Sequence, residues 1–168
     1  LSKNTRSRIK RTQNQLKLFN CDIRWLGKNE IVSMWPTLVK FHQSRWTSKG
    51  NKGAFNSKAF NLFHLAFIKE YTNNVEVSAL FIDNEPIAIN YYLVDKTTLY
   101  FYQSGWKNNY ASLSPGFSLH QWSIENNALD CYDFMMGEHQ QSYKNSYSCN
   151  QIADMFTVRQ ERQLFKYW

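Results

Sequence analysis

Six glycines and three prolines in 168 residues exclude a collagen-like or low-complexity chain. Cysteine is scarce as well: Cys21, Cys131 and Cys149 are odd in number and far apart. There is no Cys-x-x-Cys pair and no His/Cys group at zinc-ligand spacing, so neither a disulfide framework nor a bound metal is expected. The thiols are expected to be reduced, with Cys131 inside a buried strand. None has the neighbouring base that would activate it as a nucleophile. Long apolar runs are missing: the longest stretches are a few residues, against the ~20 that a transmembrane segment needs. Residues 1–20 contain no apolar core of a signal peptide. These absences together predict a cytoplasmic location.

What is present is a globular balance, with 43% hydrophobic, 20% charged and 17% aromatic residues. The net charge of +7 suggests a polyanion until it is located. Lys3, Arg6, Arg8, Lys10, Arg11 and Lys17 stand in residues 1–20 without one acid, and the remainder is nearly neutral. That pattern predicts a basic arm or solvated helix and not a basic groove, so nucleic acid is not an expected partner. Opening at Leu1 on such a helix, the chain reads as a piece of a longer one. Residues 1–20 would be a helix or linker from a preceding region, and 21–168 the folded domain.

Periodicity supplies the elements. Residues 3–19 predict a helix and Cys21–Leu26 a short strand. Over Glu30–Trp46, apolar side chains recur at steps of three and four (Ile31, Trp35, Leu38, Val39, His42, Trp46), which predicts a helix bent or delayed by Pro36. A second helix is expected over Ser57–Tyr71. Val75–Ile82, Ile87–Val94 and Thr98–Gln103 predict an antiparallel meander, since turns as short as Asp83-Asn84-Glu85-Pro86 allow no crossover. Ser114-Pro115 predicts a capped helix start, the helix reaching about Ala128. That helix is long enough to make the strand at Asp130–Met136 parallel to its predecessor. A short segment at Gln140–Tyr147 and a last strand at Ile152–Arg159 complete the order.

Three stretches in this order carry a resemblance. They are Phe41-His42-Gln43-Ser44-Arg45-Trp46 continuing to Gly53-Ala54-Phe55, Gln103-Ser104-Gly105-Trp106 running to Leu113-Ser114-Pro115-Gly116, and Tyr132-Asp133-Phe134-Met135-Met136-Gly137-Glu138 followed by Tyr143-Lys144. The chain resembles the GNAT acyltransferases, and within them the CelD/BcsL-like group linked to cellulose biosynthesis. It departs from that group at Trp106-Lys107, where relatives carry Tyr and an acid. The resemblance implies an α/β fold: a mixed, mostly antiparallel central sheet with two splayed parallel central strands and helices on both faces. It implies an acyl donor, acetyl-CoA or another acyl-phosphopantetheine, and a small-molecule or glycan-precursor acceptor. It also implies an N-terminal GNAT-like half elsewhere in the full chain.

A Ser/Pro/Gly loop opening a helix offers main-chain N–H groups at the positive end of the helix dipole, which suits a phosphate. Ser112, Ser114, Gly116, Phe117 and Ser118 are therefore expected at the donor, Gly116 letting the backbone come close. The family's splayed strands would place Tyr102, Gln103 and Ser104 along the donor's arm. Acyl transfer needs a base for the acceptor and an acid for the leaving thiolate. Asp133, alternating with Tyr132 and Phe134, reads as a desolvated carboxylate able to act as base. Glu138 follows the strand end, and His42 has an imidazole on the helix face it shares with Arg45. The family's tyrosine acid falls on Tyr143, with Lys144 beside it. Arg45, Trp46 and Trp106 are expected to touch substrate. Each group also has a structural role open to it: His42 ordering Arg45, Asp133 bonding to main chain, and Lys144 pairing with Asp133 or Glu138.

Three functions fit these residues. One is an N- or O-acyltransferase. Another is a Fem-like enzyme taking its acyl group from tRNA, which the basic start favours and the absence of room for a coiled-coil arm disfavours. The last is a non-catalytic interaction domain.

Overall fold

The computed structural model describes residues 2–135, 144 and 147. In chain order the elements are α1 (Lys3–Leu16), β1 (Cys21–Trp25), α2 (Lys28–Thr47), α3 (Lys58–Glu70), β2 (Val75–Ile82), β3 (Glu85–Val94), β4 (Thr98–Trp106), α4 (Pro115–Glu125) and β5 (Cys131–Asp133). Short 3-10 turns occupy Ala54–Asn56, Thr72–Asn74 and Asn108–Leu113. The last strand, Glu138, Tyr143 and Cys149 lie outside the described residues, as does the segment expected near 140–147 apart from Lys144 and Tyr147.

The strands lie in the order β1-β2-β3-β4-β5. Neighbours are antiparallel up to β4, and β5 runs parallel to β4. The β2–β3 turn is two residues long, with Asp83 at φ 51° and Asn84 at φ 65°. Both positive values belong to the turn type whose twist matches a hairpin. At the β3–β4 turn the Asp95 carboxylate accepts from the N–H groups of Thr97 and Thr98, at 2.9 and 2.8 Å. β1 is tied to α2 by the Arg24 guanidinium, which forks onto both Glu30 oxygens at 2.8 Å. Glu30 also accepts the Gly27 N–H at 2.9 Å, closing the start of α2. Pro36 does not delay that start. α2 begins at Lys28 and runs through it, and the proline and Val32 both sit on its exposed side, where water can serve the unbonded carbonyl.

Helices cover both faces. α2 and α3 bury Leu38 and Ile68 against Val77, Ala79, Ile89 and Tyr91. On the opposite face Leu119 of α4 and Leu16 of α1 pack with Leu80, Ile82 and Ile87. α1 thus rests on the body through Thr5, Thr12 and Leu16 and leaves most of its charges in water. Two local expectations are corrected. β5 is three residues long, and Cys131 within it is exposed because β5 borders the described sheet. Ser114 does not cap α4 with its hydroxyl. Its backbone is left-handed, at φ 48° and ψ 50°, which turns the side chain away from the helix amides.

Candidate active site

β4 and β5 pair only from Thr98↔Cys131 to Tyr100↔Asp133. β4 continues six residues further, held by β3 alone among the described strands. The ladder with β3 breaks at the same level: Tyr91 faces Gln103, Tyr92 faces Phe101, and Tyr102 is the extra residue of a bulge. The bulge turns both Tyr102 and Gln103 toward α2 and α3. The Tyr102 ring meets His64 at 5.1 Å, Tyr91 at 5.8 Å and Phe60 at 6.4 Å between centroids. Gln103 lies beside the His42 side chain and raises its pKa. Ser104, opposite Asn90, is buried.

The mouth of this parting is the first turn of α4. Pro115 brings no N–H. The Gly116 and Phe117 N–H groups precede the first intrahelical bond, from Ser118 N–H to the Ser114 carbonyl at 3.1 Å. No acid stands in that turn. The Ser118 Oγ is buried and has no hydrogen-bond partner among the described residues. Two main-chain donors and an orphaned hydroxyl at the positive end of a helix fit a phosphorylated donor. Ser112 lies exposed in the preceding turn, and Phe117 is buried. The space left by the missing side chain of Gly116 is taken by Trp106, whose ring atoms would stand 3.1 and 3.2 Å from a Cβ there. The Arg45 guanidinium lies 3.9 Å over the same indole. Arg45, Trp106 and Gly116 therefore form one stack at the mouth.

Behind it is a buried polar chain that the sequence reading missed. His120 of α4 meets the Tyr132 hydroxyl at 2.7 Å through Nδ1. Tyr132 stands 3.5 Å from the Tyr92 hydroxyl, which accepts from Asn90 at 3.0 Å and lies 3.3 Å from the Ser78 hydroxyl. Ser78 continues to Ser123 at 2.9 Å. Burial drives the His120 pKa down to about 3, and the Lys144 and Arg45 cations push the same way. Both cations thus act on the His120 ring. Lys144 donates to the Phe134 carbonyl at 2.5 Å and lies 5.8 Å over the Phe101 ring. Burial lowers its pKa, opposed by the Asp133 charge.

Asp133 takes the structural role open to it, bonding to main chain, and is not a desolvated carboxylate. It ends β5 in water and accepts the Met135 N–H at 2.6 Å, since β5 stops where the parallel pairing stops. His42 is 2% exposed, held edge-on to Phe55 at 4.7 Å and against Trp46 at 5.8 Å. Its Nδ1 is 3.2 Å from Gln43 Oε1, and burial lowers its pKa, favouring the neutral ring. Trp46 is partly exposed, at 38%. His64, also missed, binds the Tyr91 hydroxyl at 3.1 Å, while its Nε2 and the Trp35 Nε1 are buried without partners. A signal was available for both histidines: each adjoins apolar residues within its helix, Leu62-Phe63-His64-Leu65 and Leu119-His120. Among the described residues no group of three His, Cys, Asp or Glu side chains is placed to hold a metal, and no helix is long and apolar enough to cross a membrane.

This arrangement of sheet, parting strands and helix start has known counterparts. Residues 3–145 match the family model of the acetyltransferase (GNAT) domain. A possible acetyltransferase from Clostridium difficile 630 superposes with a TM-score of 0.56 at 10% identity, over 86% of this chain and 98% of that one. The aminoglycoside acetyltransferase meta-AAC0020, from an uncultured soil metagenomic sample, gives 0.53 at 14% identity, over 86% and 96%. Glucosamine-6-phosphate N-acetyltransferase from Arabidopsis thaliana gives 0.50 at 8% identity, over 83% and 98%. No curated protein sequence matches the chain. The fold is that of an acyl-transferring enzyme domain. The chain belongs to the GNAT acetyltransferase family, whose members use acetyl-CoA as donor.

Proposed function

We propose that this domain moves an acetyl or longer acyl group from acyl-CoA, or from the phosphopantetheine of an acyl carrier protein, to an amine or hydroxyl on a sugar or cell-envelope precursor. The observation that carries the reading is the parting of β4 from β5 beyond Tyr100 and Asp133, with the bulge at Tyr102 beside it. The donor's arm would lie along Tyr102, Gln103 and Ser104. Its phosphates would meet Ser112, Ser114, Gly116, Phe117 and Ser118. The acceptor would approach past Arg45, Trp46 and Trp106.

The acceptor nitrogen or oxygen attacks the thioester carbonyl carbon. The C–N or C–O bond forms and the C–S bond breaks. The acceptor's proton goes to a base, for which His42, Asp133 and Glu138 are the candidates, and the thiolate takes a proton from Tyr143 beside Lys144. Burial favours the neutral His42 ring, the form that can accept a proton. The amino sugars named for two structures of this fold support a sugar amine as acceptor class. The CelD/BcsL-like motifs support polysaccharide biosynthesis in the cytoplasm and a companion GNAT-like half. Titration calorimetry of acetyl-CoA into the intact protein, followed by thiol release with amino sugars, tests the reading. Saturable heat and thiol release are expected. No heat with acetyl-CoA and none with acyl carrier donors would overturn it.

A further inference from the structure

Of the six cations on or just after α1, five stand in water and one is turned inward. Arg8 shares the helix face of Thr5, Thr12 and Leu16, all three buried. Its guanidinium carbon lies 4.2 Å over the centre of the Phe117 ring. Phe117 is the third residue of α4, so the guanidinium stands beside the turn whose N–H groups have no intrahelical acceptor. Stacking uses the flat face of a guanidinium and leaves its in-plane donors for another partner. Among the described residues no carboxylate takes them. Arg24 pairs with Asp22 and Glu30 and Lys107 with Glu85, and α4 has no acid in its first turn. A guanidinium beside the positive end of a helix, with no acid between, is electrostatically unfavourable until an anion joins them. The orphaned Ser118 hydroxyl one residue on is a second unsatisfied group at the same turn.

Resting on the donor reading above, we propose that Arg8 binds the phosphate of a phosphopantetheine-type donor at the first turn of α4, which makes the N-terminal helix a wall of the donor site. The basic charge of residues 1–20 then serves a small phosphorylated ligand through its one inward member.

The test is calorimetry of the intact protein with CoA, 4′-phosphopantetheine and pantetheine, on the wild type and on Arg8→Lys, Arg8→Met and Arg8→Ala. Arg8→Met and Arg8→Ala are expected to weaken the phosphorylated ligands about tenfold to a hundredfold, as loss of a charge-assisted hydrogen bond does. Pantetheine binding should be unchanged and Arg8→Lys intermediate. Loss confined to CoA would support a nucleotide diphosphate as the anion, and loss in both would support the phosphate shared with carrier-bound donors. Thermal unfolding confirms which variants fold, and Arg8→Met, which keeps apolar cover over Phe117, carries the test if Arg8→Ala does not. Wild-type CoA affinity in Arg8→Met would overturn the proposal, leaving Arg8 as a stacking residue. An equal loss for pantetheine would overturn it too. A wild type that takes none of the three ligands removes the donor reading itself, a result distinct from any difference between variants.

Discussion

Tyr102 and Gln103 are adjacent in a strand, yet both side chains turn to the same face of the sheet, one onto His64 and the other onto His42. Regular pleating would send them to opposite faces, and the bulge removes that alternation for one step. The Gln103 side-chain oxygen, accepting from the His42 ring, raises the His42 pKa against the lowering by burial. Gln103→Leu is therefore expected to lower the pH at which His42 titrates and to cost about 1 kcal/mol of stability. Histidine titration by NMR reads the first effect and urea unfolding the second. An unmoved His42 titration would show that the two side chains do not communicate.

Gly105 is where α2 crosses β4 most closely. A Cβ there would stand 2.5 Å from the His42 backbone nitrogen and 2.6 Å from the Phe41 Cβ. Neither atom belongs to a flexible side-chain end, so α2 would have to lift. Gly105→Ala is expected to destabilise by about 2 kcal/mol or more, lowering the melting temperature by at least about 5 °C. Gly50→Ala is the control. Nothing lies within 4 Å of its Cβ position, and only its positive φ of 77° opposes the change, at about 1 kcal/mol. Equal melting temperatures for the two variants would contradict the close crossing.

The long, periodic elements were legible in the residues. The stripe from Ile31 through Leu38 to His42 is the buried face of α2, and the alternation over Val75–Ile82 gave β2 its bounds. Short range fails where tertiary contacts decide. Asp133 alternates with Tyr132 and Phe134 as a buried strand residue would, but β5 ends there and leaves it in water. Ser114 before Pro115 has the composition of a cap, yet its left-handed backbone forbids the bond. Gly116 looks like room for a phosphate, and Trp106, ten residues back, fills that room. The polar chain from His120 to Ser123 through Tyr132, Tyr92 and Ser78 joins four elements, and no local pattern announces a bond between residues 45 apart.

His120 sets a pH dependence. Burial holds its pKa at about 3, against 6.5 for an unhindered imidazole. Between those values the unfolded chain binds a proton that the folded chain refuses, so stability falls as pH falls from about 6.5 toward 3. The slope from this one group is about 1.4 kcal/mol per pH unit. His42 and His64, also lowered by burial, add in the same direction. Urea midpoints at pH 7, 6 and 5 should decline, and the decline should be shallower in His120→Gln. An identical pH profile in that variant would remove His120 as the cause.

Ser118 offers the sharpest separation of stability from function. Its hydroxyl is buried at the start of α4 and has no partner among the described residues, so the desolvation of that group goes without return there. Deleting an orphaned polar atom removes a penalty and leaves a void smaller than a methyl group. Ser118→Ala is thus expected to keep or raise the melting temperature, by up to about 1 kcal/mol of stability. If the hydroxyl is reserved for a phosphate oxygen, the same variant should bind acetyl-CoA about five- to tenfold more weakly, since a hydrogen bond to a charged group is lost. Calorimetry beside thermal unfolding reads both. A variant that is more stable and binds acetyl-CoA as tightly as the wild type would assign Ser118 to packing alone and move the donor's phosphates away from this turn.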